Sequence, residues 1–161
     1  MPPPAQSAQL VLLSPHKVDH AAVQRILRPP LWHFAGFFAG REGLDFLRNH
    51  HDVAVVICDK KLPDGDWSHL MRQLELAPHT PSFIVSARLA DERLWAKALN
   101  LGAFDVLLSA PFDAEEVVRV TEGAWLAWNR TCGRSVVPRT SASVEWRPKT
   151  AELKSCAAGC A

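Results

Sequence analysis

The chain contains no apolar run approaching the roughly 20 residues of a bilayer-spanning helix, so no such helix is expected. Its first residues, Met-Pro-Pro-Pro, carry neither a basic stretch nor an apolar core, and no signal peptide is expected. Cysteine is sparse: Cys58 lies in an apolar run, and Cys132, Cys156 and Cys160 follow far downstream. That scatter excludes a disulfide framework and points to a reduced, cytoplasmic protein. Cys156-x-x-x-Cys160 is half a zinc site with no second pair nearby, so zinc is not expected. Excess charge is also missing. The net charge of +1 argues against nucleic acid as the partner of the main domain. Residues 131–161 hold five basic and two acidic side chains, net +3, which leaves −2 on residues 1–130. A nucleic acid or a membrane surface is therefore a minor alternative for the tail only.

What is present is a globular composition, 48% hydrophobic and 22% charged, in a length that suits one domain. The organising stretch is Asp52 to Trp67, DVAVVICDKKLPDGDW. Val53 to Ile57 form a continuous, largely β-branched apolar run, as a parallel strand covered on both faces requires. It ends in Cys58-Asp59, which places a carboxylate at the strand's C-terminal tip. Leu62-Pro63-Asp64-Gly65 then reads as a turn, in which Pro63 fixes φ and Gly65 permits positive φ. Sites of open α/β sheets lie beyond the carboxyl ends of strands, so Asp59 stands where a site belongs. The alternative is an acid that only solubilises the strand end or caps a helix.

Residues 1–8 are Pro-rich and expected to be disordered. Residues 9–13 (QLVLL) predict a buried strand, and Ser14-Pro15 a helix start with Ser14 as N-cap. The helix carries Val18, Ala21, Ala22, Arg25 and Ile26 and stops at Pro29-Pro30. Residues 31–38 (LWHFAGFF) predict a second strand with a bend or close approach at Gly36. Residues 40–49 predict a helix burying Leu44 and Leu47. Residues 67–76 predict a helix with Leu70, Met71 and Leu74 inward. Residues 82–87 (SFIVSA) predict a strand, and 91–101 a helix closed by Gly102. Residues 106–109 predict the last strand, and Asp113 caps a long helix to about Arg130. The order βαβαβαβαβα is that of a parallel sheet with helices on both faces, over residues 9–130, followed by a flexible basic tail at 131–161.

Five βα units with an Asp ending the third strand resemble the receiver domain of bacterial two-component response regulators, a (βα)5 flavodoxin-like fold. The motifs fall in family order: Asp59-x-x-Leu62-Pro63-Asp64-Gly65, then Ile84-Val85-Ser86-Ala87, Gly102-Ala103-x-Asp105 and Pro111-Phe112. The resemblance implies that Asp59 is the phosphoacceptor and Ser86 the switch hydroxyl. It also implies in-line phosphoryl transfer assisted by Mg²⁺ and a lysine.

The sequence departs from that pattern at three places. The acidic pair that binds the metal falls on Ser14-Pro15, and Asp19 lies more than a helical turn further on, too far to reach back. The lysine position falls on Ala110, or on Ser109 when counted from Gly102. The aromatic switch position falls on Val106 or Leu107. Mg²⁺ needs oxygen ligands, commonly one or two carboxylates, so its affinity is expected to fall sharply and no cofactor is expected. Lys60 and Lys61 are solvated loop residues, or one of them holds Asp59 ionised in place of the metal. His16 and His20, spaced i, i+4, are surface residues or a metal pair, and His50-His51 sits at a favourable helix C-terminus.

Val117, Val120, Ala124 and Trp128 form the core stripe of the last helix. Trp125 and Val118 fall to one side of it, with Trp95 of the fourth helix expected as a neighbour. In the resembled family the fourth and fifth helices form the usual partner face. Trp95, Val118 and Trp125 are accordingly either buried in the monomer or exposed as a partner surface. The expected function is an atypical, non-enzymatic receiver-type signalling module acting through protein contact. Its partner would be a histidine kinase, another regulator or a second copy. One alternative is a conventional response regulator phosphorylated on Asp59. Another is a flavodoxin-like cofactor-binding protein or enzyme, although Ser14-Pro15-His16-Lys17 lacks the glycine of a phosphate-binding turn.

Overall fold

The computed structural model of the chain describes residues 8–29, 31–76, 80–89, 91–109 and 111–131. In chain order the elements are β1 (Ala8–Leu13), α1 (Lys17–Ile26), β2 (Trp32–Phe37), α2 (Gly40–Asn49) and β3 (Val53–Asp59). Next come β4 (Lys61–Leu62), β5 (Gly65–Asp66), α3 (Trp67–Leu74), β6 (Ser82–Ala87), α4 (Glu92–Asn100), β7 (Asp105–Leu108) and α5 (Ala114–Thr131). Five strands form one parallel sheet in the order β2-β1-β3-β6-β7. Parallel neighbours need crossover connections, and each of these carries a helix.

The central strand is β3, and every one of its residues is buried. Alternate residues serve two cores. Val53, Val56 and Cys58 pack with α2, α3 and α4, alongside Leu47, Leu70, Met71, Leu74, Leu94 and Ala98. Val55 and Ile57 pack on the other face with α1 and α5, against Val23, Val117, Val120 and Ala124. Each large aliphatic side chain buried in this way contributes roughly 1.5–3 kcal/mol. The continuous apolar run is thus the direct cause of the central, doubly covered position.

Several local expectations are corrected. Ala8 already belongs to β1, paired with Trp32, so the ordered chain begins before Gln9. The basic tail, with Cys132, Cys156 and Cys160, lies outside the described residues. α1 begins at Lys17, behind an extended His16 without a side-chain cap, so Ser14 is not its N-cap. Val18, expected on the inner stripe, is 65% exposed, while Asp19 and Val23 are the buried residues of this helix. The later helices start as anticipated. Asp66, Asp91 and Asp113 each accept a backbone N–H three residues on, from His69, Leu94 and Glu116. Gly102 has φ +101°, and its N–H reaches the Leu99 carbonyl behind α4. Gly36 meets a close neighbour, since a Cβ there would run into the His20 ring.

The Leu62–Gly65 turn does more than reverse the chain. Lys61 and Leu62 pair antiparallel with Asp66 and Gly65, a hairpin with Pro63-Asp64 at its tip and Gly65 at φ +152°. The Asp64 carboxylate then accepts the N–H groups of Gly40 and Arg41, at 2.9 and 2.8 Å. It is therefore the cap of α2, whose own N-cap residue Ala39 has no polar side chain. These bonds hold the Asp64 carboxyl below the usual aspartate range. Asp64→Ala is expected to cost about 1 kcal/mol of stability at neutral pH, the usual value of a lost helix cap. The cap depends on the ionised form, so the deficit should narrow as pH falls through Asp64's lowered folded value. Urea unfolding of the two proteins at pH 7 and at several pH values below 3.8 measures both effects.

Candidate functional site

The chain reverses direction across the sheet at β1, which has β2 on one side and β3 on the other. Such a switch point opens a crevice at the C-terminal strand ends. Four residues occupy that edge on the α1/α5 face. Leu13 pairs with Cys58, which sets Ser14 beside Asp59, and Asp59 pairs directly with Ser86. Ser109 follows β7, with its N–H on the Ala87 carbonyl. Alternation puts Ser14, Asp59, Ser86 and Ser109 on the side already taken by Leu12, Ile57, Ile84 and Leu107. All four are buried.

The helix above this row supplies what the strand end lacks. Asp19 of α1 is 1% exposed, and its Oδ2 accepts the Ser14 hydroxyl at 2.7 Å. The Ser14 oxygen in turn accepts the His16 N–H at 3.1 Å. This local closure turns the first turn of α1 inward, so Asp19 does reach back to the site, contrary to the reading from spacing. Its other oxygen, Oδ1, lies 3.5 Å from Nη2 of Arg88, just after β6. Arg88 is 40% exposed and spans from the loop before α4 to α1.

Asp59 is 6% exposed, and its Oδ2 accepts the Lys61 backbone N–H at 3.2 Å. Burial pushes its carboxyl above the ordinary value of 3.8. The Lys61 N–H opposes that rise, the Asp19 charge adds to it, and the charges of His16 and Arg88 oppose it. Neither lysine ammonium is among these influences. The Lys60 N–H bonds the Ser86 carbonyl, its charge acts on Asp91, and both side chains are exposed. The proposed replacement of the metal by Lys60 or Lys61 is therefore corrected: the positive charges acting on Asp59 are those of His16 and Arg88.

The hydroxyls of Ser86 and Ser109 are buried without a hydrogen-bond partner. Ala110, the other candidate for the lysine position, lies outside the described residues. Val106 and Leu107 are both buried. The residues present do not fit a magnesium ion. Among the described residues no three His, Cys, Asp or Glu side chains converge. Pro15 offers no ligand, and the oxygens of Asp19 are engaged by Ser14 and Arg88. His16 and His20 form no metal pair either, because the His20 Nε2 bonds the Ser14 carbonyl at 2.8 Å and its ring packs near Phe34 and Phe38.

The tryptophans part company. Trp125 meets Trp32 edge-on, with centroids 6.0 Å apart, and with Val118 it packs against the α1/α5 core. Trp95, the expected neighbour, sits on α4 on the other side of the sheet and is 39% exposed. Sequence reasoning had grouped residues from neighbouring helices that the sheet separates. It missed Leu108 of β7, Leu126 of α5 and Phe104 in the loop before β7, which with Trp95 and Leu99 of α4 are exposed apolar side chains. The Phe104 ring joins that loop to α5, lying 3.3 Å from where a Cβ on Gly123 would be.

No family model matches the sequence, and no curated protein matches it. Solved structures do match. The signal receiver domain of a putative repressor protein from Vibrio parahaemolyticus superposes with TM-score 0.71 at 14% identity, over 85% of this chain and 99% of that one. The signal receiver domain of an HD domain-containing protein from Pseudomonas fluorescens gives TM-score 0.69 at 21% identity, over 78% and 99%. A receiver domain from Saccharomyces cerevisiae, co-crystallised with a histidine phosphotransfer signaling protein, gives 0.63 at 14%, over 72% and 88%. The chain therefore has the flavodoxin-like fold of response-regulator receiver domains, as the order of its motifs implied.

The raised Asp59 carboxyl has a thermodynamic consequence. The folded chain binds this proton more readily than the unfolded one, so Asp59's contribution to stability is greatest below pH 3.8 and declines as pH rises through the folded value. Asp59→Asn removes the ionisation. It is expected to be more stable than wild type at pH 7.5, by about 1 kcal/mol, with the advantage shrinking in acid. Urea unfolding at several pH values checks it; an advantage independent of pH would mean that the charge is not the cause.

Proposed function

We propose that the chain is a cytoplasmic, receiver-type signalling module of the two-component kind. It works through protein–protein contact rather than through an enzymatic activity of its own, with weak or no Mg²⁺-dependent phosphorylation of Asp59. The observation that carries this reading is the Asp59 edge itself. It keeps the acid, the adjoining Ser86 and the hairpin, but in place of a metal cage it holds an arginine and a proline. Phosphoryl transfer to a carboxylate needs concentrated positive charge on the transferred oxygens, and one half-exposed guanidinium engaged by Asp19 is a poor source of it. The receiver co-crystallised with a phosphotransfer protein supports a protein as the partner class. The flavodoxin-like alternative gains nothing, since no glycine lines the turn from Ser14 to Lys17.

The contact face is the apolar edge of α4, β7 and α5: Trp95, Leu99, Phe104, Leu108 and Leu126. A second copy of the chain is its occupant in this reading. β7 ends the sheet, so a second copy can approach along this edge without displacing another strand.

Incubation with acetyl phosphate, with and without Mg²⁺, followed by intact-mass measurement tests the first point. No phosphoryl adduct is expected on wild type, as on the Asp59→Asn control. An adduct needing both Mg²⁺ and Asp59 would establish the conventional phosphoacceptor instead. Sedimentation tests the second. A dimer is expected that Leu126→Glu weakens by about tenfold or more, and a wild-type monomer would assign the face to a different protein.

A further inference from the structure

We propose that the Arg88 guanidinium is the resident cation of the Asp59 site and that it keeps divalent metal ions out. The argument starts from charge. Two carboxylates, Asp19 and Asp59, are almost completely buried on one edge, and the Asp19 charge raises the cost of ionising Asp59. Such a pair needs a positive charge close by. Arg88 provides it, with Nη2 3.5 Å from Asp19 Oδ1 and its charge favouring the ionised form of Asp59. A guanidinium cannot lose its proton in this pH range, so the charge is permanent.

The same edge has the makings of an oxygen-lined ion site once that charge is removed. Asp19 Oδ1 loses its partner, while Asp59 Oδ1 takes part in no described hydrogen bond. Ser86 supplies the independent indication. Its hydroxyl is fully buried, stands level with Asp59 across β3 and β6, and has no partner. Two carboxylates and a hydroxyl, completed by water, suit a hard divalent cation. With Arg88 in place the three charged side chains sum to −1, and without it to −2. Arg88 thus sets the cation selectivity of the site, and the chain fills by a covalently attached charge the place that a diffusible ion would take. Its guanidinium also ties α1 to the loop before α4, so this occupancy fastens two elements that flank Asp59.

This inference does not depend on the signalling role, because metal binding is read without phosphorylation. Mn²⁺ is the probe, and the intensity of its free-ion electron paramagnetic resonance signal reports binding. Wild type is expected to leave the signal of millimolar Mn²⁺ unchanged. Arg88→Gln should bind it about tenfold or more tightly. Arg88→Lys, which keeps the charge, should behave as wild type. Arg88→Gln combined with Asp19→Asn should lose the gain. Arg88 is largely at the surface, and a thermal melt of each variant confirms folding. Equal Mn²⁺ affinity in wild type and Arg88→Gln would overturn the proposal, as would a gain that survives Asp19→Asn. An acetyl phosphate adduct that forms on wild type without Mg²⁺ would count against the proposed function alone, whereas one that needs Mg²⁺ would count against both.

Discussion

The architecture of the site depends on the burial of two carboxylates at the end of a parallel sheet. A carboxylate removed from water costs several kcal/mol unless hydrogen bonds and opposite charge replace its hydration. Asp19 meets that cost with one hydroxyl and one guanidinium, from Ser14 and Arg88. Asp59 has a single backbone N–H and is left with a raised carboxyl pKa. The asymmetry matters. Asp19 is held by two segments of chain, whereas the Ser86 hydroxyl beside Asp59 has no partner. The site is therefore rigid on its α1 side and chemically open on its β6 and β7 side.

The sheet makes this arrangement possible at little expense. β3 is covered on both faces, so its tip can be polar without exposing the core beneath. The hairpin that follows carries Asp64 to α2, where it caps the helix from 23 to 24 residues away. One loop thus positions the carbonyl end of β3, the N-terminus of α3 through Asp66, and the N-terminus of α2. The turn motif therefore serves stability whatever its part in phosphoryl chemistry. The Leu62–Gly65 segment alone is weak grounds for phosphorylation for that reason.

Much of the fold was legible in the sequence because the signals are local. The apolar run of Val53–Ile57, the Asp113 cap of α5 and Gly102 each declare themselves within a few residues. The site was legible only in part. Asp59, Ser86 and Ser109 were found because strand ends lie at fixed places in a βα repeat. Asp19 was set aside because it lies more than a helical turn beyond Ser14-Pro15, and an acid on a helix is ordinarily solvated. What reverses this is a bond to Ser14 and a contact with Arg88, 69 residues away, and no periodicity encodes it. Trp125 was misassigned a neighbour for a similar reason: helices adjacent in sequence lie on opposite faces of the sheet.

The losses at the site are also mutually consistent. A receiver that switches on phosphorylation needs a metal, a cation that follows the phosphate, and a side chain able to move between two positions. In this chain the metal's place is contested by Arg88, the candidate lysine position Ser109 is a buried hydroxyl, and Val106 and Leu107 are packed aliphatics. Each departure bears on a different part of one mechanism. A guanidinium fixed in the sequence cannot be withdrawn as an ion or a phosphoryl group can, so it biases the edge toward one arrangement at all times. In the proposed reading information then enters through what binds the domain, and the exposed apolar side chains from Trp95 to Leu126 are where such binding would act.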